Sequence, residues 1–158
     1  MAIEIVEATE SYVPDMVELW KEFMYHHKDF DPRFPMRADA HISFEQHLRE
    51  QMEAEDALVM VALDKRQVVG FSISQVNKYP PIWVEREAYG SIDTMAITAD
   101  YRRKGVGEQM LGRIFEWFAA QDIDRIELSV AARNQVGYSF WRKHGFRDFA
   151  HRLYLDRK

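Results

Sequence analysis

The chain has 158 residues, 47% apolar and 30% charged, with no cysteine and a formal net charge of −5. That is an ordinary globular composition at a length suited to one domain with its own core, so disordered, collagen-like and disulfide-scaffold architectures are excluded. Without cysteine there is no thiolate metal site and no cysteine nucleophile.

Taken in chain order, residues 2–8 alternate weakly and predict a first strand. Ser11 is a candidate helix cap, with Pro14 tolerated in the first turn. Val13, Met16, Val17, Trp20, Phe23 and Met24 then recur at helical spacing to about residue 28. Two prolines between Asp29 and Arg37 break that helix. Ser43 and Gln46 read as a capping box opening a second short helix through Phe44, Leu48 and Met52. Segments 57–64 and 67–78, joined around Asp64 to Arg66, read as an antiparallel hairpin. Lys78 to Ile82, with Pro80 and Pro81, reads as a rigid loop.

Residues 89–98 predict a further strand, with Ile92, Thr94 and Ala96 on one face and Asp93, Met95 and Ile97 on the other. A strong helix begins at Gly105, its buried stripe formed by Val106, Met110, Leu111, Ile114, Phe115 and Phe118. A strand is expected over 124–131, a short helix over 135–143 ended by Gly145, and a last strand over 146–155. The order β-α-α-β-β-β-α-β-α-β predicts one α/β domain over residues 1–158, a mixed sheet with helices on both faces.

The longest apolar run, seven residues from Ala57 to Leu63, is too short for a membrane span. Met1 to Glu10 carries three glutamates and no basic residue, unlike a signal or transit peptide. The expectation is a soluble cytoplasmic protein with no membrane partner. Charge divides along the chain: 9 Lys/Arg against 19 Asp/Glu through residue 100, and 12 against 7 after it. An anionic partner is therefore expected at the C-terminal part, while the acidic total disfavours nucleic acid. His26 and His27 are adjacent, so they point to different sides of a helix and no metal site is expected.

The segment from Met95 to Gly107 concentrates the chemistry. A strand runs into a basic loop, Arg102, Arg103 and Lys104, then Gly105, Val106, Gly107 and Glu108 open a long helix. The first amides of a helix lack internal partners and sit at the positive end of its dipole. Glycines allow a phosphate to approach them closely. Neither the P-loop nor the dinucleotide fingerprint fits, since Met110 stands where the latter's third glycine belongs.

Arg102-x-x-Gly105-x-Gly107 resembles the acyl-coenzyme A motif of the GNAT superfamily of N-acetyltransferases. Asn134-x-x-Gly137-x-x-Phe140-Trp141-x-x-x-Gly145-Phe146 resembles that family's second signature, whose usual form has alanine at the place of Gly137 and tyrosine at that of Trp141. The element order is similar over nearly the whole chain, though residues 1–55 match in topology only. The resemblance implies a mostly antiparallel GNAT-like sheet and acetyl-CoA as acetyl donor. It implies that the pyrophosphate rests on the amides of residues 102–108 and that the pantetheine runs beside Met95, Ala96 and Ile97. The Ile97 amide would polarise the thioester carbonyl. Asn134 would bind the pantetheine, flanked by Tyr138 and Trp141, and Arg142 or Lys143 could face the adenosine phosphate. A homodimer is what the family commonly shows.

With no cysteine, direct attack of a neutral amine in a ternary complex is favoured over an acyl-enzyme. Asp93 fits the family's position for a base. Trp141 stands where the usual thiolate donor is a tyrosine, and indole N–H cannot act as an acid; Tyr138, one turn earlier, is the substitute. Tyr25, Asp29, Phe30 and Asp31, near Trp20, Glu22, Phe23 and Phe34, are the candidate residues for a cationic amine. The expected function is N-acetyl transfer to a small primary amine or an exposed peptide amine. The alternative is a non-catalytic acyl-CoA-binding sensor.

Overall fold

Short apolar runs build a sheet and helical-period runs cover its two faces. The computed structural model describes residues 1–79 and 85–158. Five strands lie side by side in chain order: β1 (Ile3–Glu7), β2 (Ala57–Asp64), β3 (Gln67–Lys78), β4 (Ala88–Ile97) and β5 (Ile126–Glu127). The first four pair antiparallel, and β5 pairs parallel to β4. The helices are α1 (Val13–His26), α2 (Ala40–Glu53), α3 (Val106–Ala119) and α4 (Gln135–Lys143).

Because both faces are covered, β2 is a continuous apolar run rather than an alternating one. Val59, Val61, Phe71 and Ile73 meet Val13, Met16, Val17, Phe44 and Leu48 from α1 and α2. Leu58, Met60, Ala62, Val69 and Ile92 meet Met110, Leu111, Ile114 and Phe118 from α3. Each such side chain contributes about 1.5–3 kcal/mol by leaving water. The β2–β3 connection is the two residues Lys65 and Arg66, both at positive φ (48° and 73°), as a tight hairpin between right-twisted strands demands.

Four expectations are corrected. The α1 cap position is Tyr12 rather than Ser11, whose hydroxyl instead meets that of Thr9 at 3.0 Å. Helix α2 starts at Ala40, so Ser43 and Gln46 lie inside it and form no capping box. On β4, Ile73 pairs with Thr94 and Ser74 with Ile92, which leaves Asp93 as an extra residue in a bulge. The bulge puts Ile92 in the α3-side core with Met95 and Ile97, while Ala96 joins the opposite core. Finally, β5 is only two residues long and no strand forms over 146–155, where every residue from 147 onward is exposed. Pro80, Pro81 and Ile82 of the expected rigid loop lie outside the described residues.

Candidate functional site

Strands β4 and β5 pair only at Gly90 with Ile126 and Ser91 with Glu127. Beyond that point they part, and β4 from Ile92 to Ile97 has a free edge on the β5 side among the described residues. Backbone polar groups alternate sides along a strand. The Thr98 amide donates to the Val69 carbonyl on β3 at 2.9 Å. The amides of Ile97 and Met95 therefore point the other way, into the opening. The Ile97 carbonyl there accepts from Arg102 Nε at 2.9 Å, leaving the Ile97 N–H as a donor aimed into the gap. Ala96 differs from its neighbours: its backbone faces β3 and its methyl is core.

The chain then turns into α3. Arg103 and Gly105 adopt positive φ (61° and 83°), and Gly105 caps the helix. The amides of residues 103–108 donate to no carbonyl or side chain among the described residues; the first amide to do so is Gln109, to Gly105, at 3.1 Å. A Cβ on Gly105 would meet nothing within 4 Å, so space stands open beside these amides. A run of free N–H groups at a helix start with room in front of it fits an oxyanion or a phosphate. Arg103 and Lys104 are exposed beside it, Lys104 with its ammonium 5.7 Å from the Tyr101 ring. Val106 is buried and anchors the helix start. Gly107 has a packing role: a Cβ there would come within 3.2 Å of the Phe140 ring and 3.6 Å of the Met95 methyl. Glu108 accepts from Lys143 Nζ at 3.1 Å and lies 3.4 Å from His144 Nε2. The Lys143 hydrogen bond holds its carboxyl below the usual range.

Asn134 caps α4, its Oδ1 accepting from the Gly137 amide at 3.0 Å. Its Nδ2 is then turned toward His27 Nε2, 3.5 Å away. His27 Nδ1 lies 2.8 Å from the Phe23 carbonyl and donates to it, which turns Nε2 toward Asn134. Gly137 makes this possible: a Cβ there would sit 2.6 Å from Asn134 Nδ2. Tyr138 donates to Asp148 Oδ1 at 2.8 Å, and that bond raises the phenol's pKa. Trp141 stands edge-on to Phe140 and Phe146, ring centroids 5.0 and 5.4 Å away.

On the other side of the opening, Glu22 of α1 reaches the end of β4. It accepts from Thr98 Oγ1 at 2.8 Å and from the Ala99 amide at 2.9 Å, and lies 3.5 Å from the Arg102 guanidinium. The side chain of Arg102 thus ties β4 to α1. Loss of water, then the Arg102 charge, lowers the pKa of the neighbouring His26. Phe30 packs edge-on against both His26 and His27 at 5.7 Å. Tyr25 is exposed and takes a hydrogen bond from Lys28 at 3.0 Å. Asp31 is clamped by Arg33 through Nε at 2.9 Å and a terminal nitrogen at 2.7 Å, which pulls its carboxyl down to about 2. Asp29 is exposed. Asp93 is exposed on its bulge with no hydrogen bond or ion pair among the described residues. No cluster of three His, Asp or Glu side chains forms among the described residues. Glu22 and His27 are the working contacts that sequence reasoning underused. Their only signal was polarity near the C-terminal end of α1, which Asp15, Glu18 and Lys21 on the same helix share.

A sequence profile described as the acetyltransferase (GNAT) family matches residues 13–146. No curated protein sequence matches the chain significantly. Among solved structures, a Bacillus halodurans protein crystallised as a mutant superposes with a TM-score of 0.87 at 19% identity, covering 97% of this chain and 98% of that one. A predicted acetyltransferase from Clostridium acetobutylicum, crystallised with acetyl-CoA, gives 0.80 at 17%, covering 98% and 96%. An aminoglycoside 6′-N-acetyltransferase from Acinetobacter haemolyticus gives 0.77 at 17%, covering 98% of each chain. All three share the fold of this chain.

Proposed function

The chain belongs to the GNAT acetyltransferase family, and from that premise we propose that it transfers an acetyl group from acetyl-CoA to a primary amine by direct attack in a ternary complex. The observation that carries this reading is the parting of β4 and β5 beside six free amides at the start of α3. When bound, acetyl-CoA supplies an acetyl thioester, a carbonyl already activated toward an amine. Residues 103–108 offer backbone donors for its phosphates, and Arg103 and Lys104 add positive charge. The Ile97 N–H is the donor for the carbonyl oxygen as charge develops on it. Met95 and Asn134 offer backbone and amide groups to the pantetheine arm, with Tyr138 and Trp141 flanking it.

Asp93 is our candidate base, removing the ammonium proton directly or through water. A bulge next to a site re-aims a side chain, and its unpaired carboxylate is free to accept. The acceptor end is Tyr25, Asp29, Phe30 and Asp31. Asp29 offers the charge, since Asp31 is neutralised by Arg33. A small-molecule amine is favoured because one structural neighbour is an aminoglycoside acetyltransferase. The test is acetyl-CoA incubated with a panel of amines, following free thiol release. Release that depends on an amine, and rises with it, supports the reading; thiol release from no amine in the panel, despite bound coenzyme A, overturns it.

That last outcome is the signature of the second reading, a non-catalytic acyl-CoA sensor. The state of the candidate acids favours it: an indole occupies the usual tyrosine position, and the Tyr138 hydroxyl is engaged by Asp148.

A further inference from the structure

Helices α1 and α4 lie on opposite faces of the sheet. Val13, Met16 and Val17 of α1 pack with Val59, Val61, Phe71 and Ile73, whereas Phe140 and Trp141 of α4 pack against the cluster that holds Val69, Ile92 and Met110. An intact sheet keeps such layers apart. Yet the His27 ring at the end of α1 reaches Asn134 at the start of α4, with Nε2 3.5 Å from Asn134 Nδ2. The contact passes through a break in the sheet, and the break this sheet offers is the parting of β4 and β5. His27 therefore belongs to the wall of the opening to which we assign the pantetheine arm.

Both partners are pinned by groups of fixed polarity. The Gly137 amide can only donate, so the oxygen of the Asn134 carboxamide is turned to it, 3.0 Å away, and the nitrogen is turned to His27. The Phe23 carbonyl can only accept, so His27 Nδ1, 2.8 Å from it, carries a proton. In the neutral ring Nε2 is then an acceptor, and Asn134 donates to it. One Nδ2 hydrogen and one Oδ1 lone pair remain, the two groups that a ligand amide needs. In the protonated ring Nε2 carries a hydrogen as well, and two donors face each other. Gly137 lets the carboxamide lie here, since a Cβ at that position would come 2.6 Å from Nδ2. The family's usual residue there is alanine, so the arrangement departs from the common pattern.

We propose that His27 is a positioning residue for the donor: its neutral ring holds the Asn134 carboxamide in place for the pantetheine, and its protonation releases that hold and weakens coenzyme A binding in mild acid. The proposal rests on the reading of the opening as the coenzyme A site. Imidazole changes charge between about pH 5 and 8. Two titratable groups face His27: His26 of the same helix, ring centroids 5.5 Å apart, and Asp31 of the following loop, whose carboxylate is held by Arg33. Arg102 and Glu22 act on His26. From α4 the partner is the uncharged Asn134.

The test is titration calorimetry with coenzyme A between about pH 8 and 5.5, across the imidazole range. Glutamine at position 27 offers an oxygen that accepts and does not titrate. Phenylalanine keeps a ring against Phe23 and Phe30 and removes the acceptor. The phosphates of coenzyme A also gain protons in acid, so the difference between profiles is what is read. Over that range the parent should lose at least about threefold more affinity than His27→Gln, the worth of one hydrogen bond. His27→Phe should bind at least about threefold more weakly at neutral pH, and should cost nothing further in an Asn134→Ala background. Gly137→Ala, which displaces the carboxamide, should flatten the profile as His27→Gln does. Without any ligand, the side-chain amide signal of Asn134 in heteronuclear NMR spectra should follow pH in the parent and stay fixed in His27→Gln. Should His27→Phe fail to fold, the glutamine profile decides alone. Equal profiles of parent and His27→Gln overturn the proposal and leave the coenzyme A site standing. Parental affinity in His27→Phe, or a loss that adds in full to that of Asn134→Ala, does the same. A parent that binds no coenzyme A at any pH overturns the reading of the site and this inference with it.

Discussion

Gly105 offers a test in which conformation and ligand approach can be separated. It sits at φ 83° directly before α3, and a Cβ there would touch nothing within 4 Å. Gly105→Ala introduces no clash, so its cost is conformational, about 1–2 kcal/mol for an L-residue in the left-handed region. For a chain of this size each kcal/mol moves Tm by about 2–4 °C, so a fall of about 2–8 °C is expected in differential scanning calorimetry. Gly105→Asn should recover part of that loss, because asparagine tolerates this backbone region. Its side chain also occupies the open space in front of the free amides. Titration calorimetry with coenzyme A should therefore show affinity at least about tenfold weaker, about 1.4 kcal/mol, although Tm has partly recovered. An asparagine variant with parental affinity refutes close approach of an anion to this loop. An alanine variant with parental Tm refutes the left-handed cap itself.

Gly107→Val should weaken coenzyme A binding and also lower Tm, because its methyls meet the Phe140 ring; overpacking of that kind costs about 1–3 kcal/mol, and an unchanged melting curve would contradict the packing. Asp93→Asn should lower kcat and kcat/KM by at least about tenfold, with the deficit shrinking at high pH where the amine is already neutral; parental rates across a pH series remove Asp93 as base. Asp29→Asn should raise the acceptor KM and leave that for acetyl-CoA unchanged, the pattern of lost uniform binding. For Asp31, whose folded pKa of about 2 lies below its ordinary 3.8, the Arg33 pair contributes stability above the ordinary value and loses it as pH falls through the lower one. The stability gap between parent and Asp31→Asn, below about 1 kcal/mol because Arg33 is exposed, should close between about pH 4 and 2 in denaturant titrations. A gap that widens in acid would reverse the assigned sign.

Sequence legibility followed the strength of the local signal. The hairpin over 57–64 and 67–78, the α3 stripe and the α4 bounds were readable because apolar period and turn chemistry agree there. The start of α2 was not, since Asp39, at its N-cap position, makes no side-chain cap and its carboxylate is held by Arg37. The bulge at Asp93 was invisible, because alternation in one strand says nothing about an extra residue relative to its partner. The tail over 146–155 alternates as a strand does and forms none: periodicity reports a propensity to pair, and pairing also needs an edge within reach. At the site, the glycine and basic-loop pattern pointed to free amides that the backbone then displayed. The contacts of Glu22 and His27 span 77 and 107 residues of sequence, a separation over which spacing carries no information.

In the proposed reaction the Glu22 contacts would join two binding events. One carboxylate holds the last turns of α1, where we place the acceptor, to Thr98, Ala99 and Arg102, and Arg102 in turn holds the Ile97 carbonyl. A shift of α1 on acceptor binding cannot leave the Ile97 peptide untouched, and a shift of that peptide is felt by α1. Whatever factor the donor imposes on acceptor affinity through this link, the acceptor must impose on donor affinity, because coupling free energy is reciprocal. Glu22→Gln, which keeps the shape but weakens the charge-assisted bonds, would reduce both factors together, so that the two substrates bind as independent ligands of one scaffold.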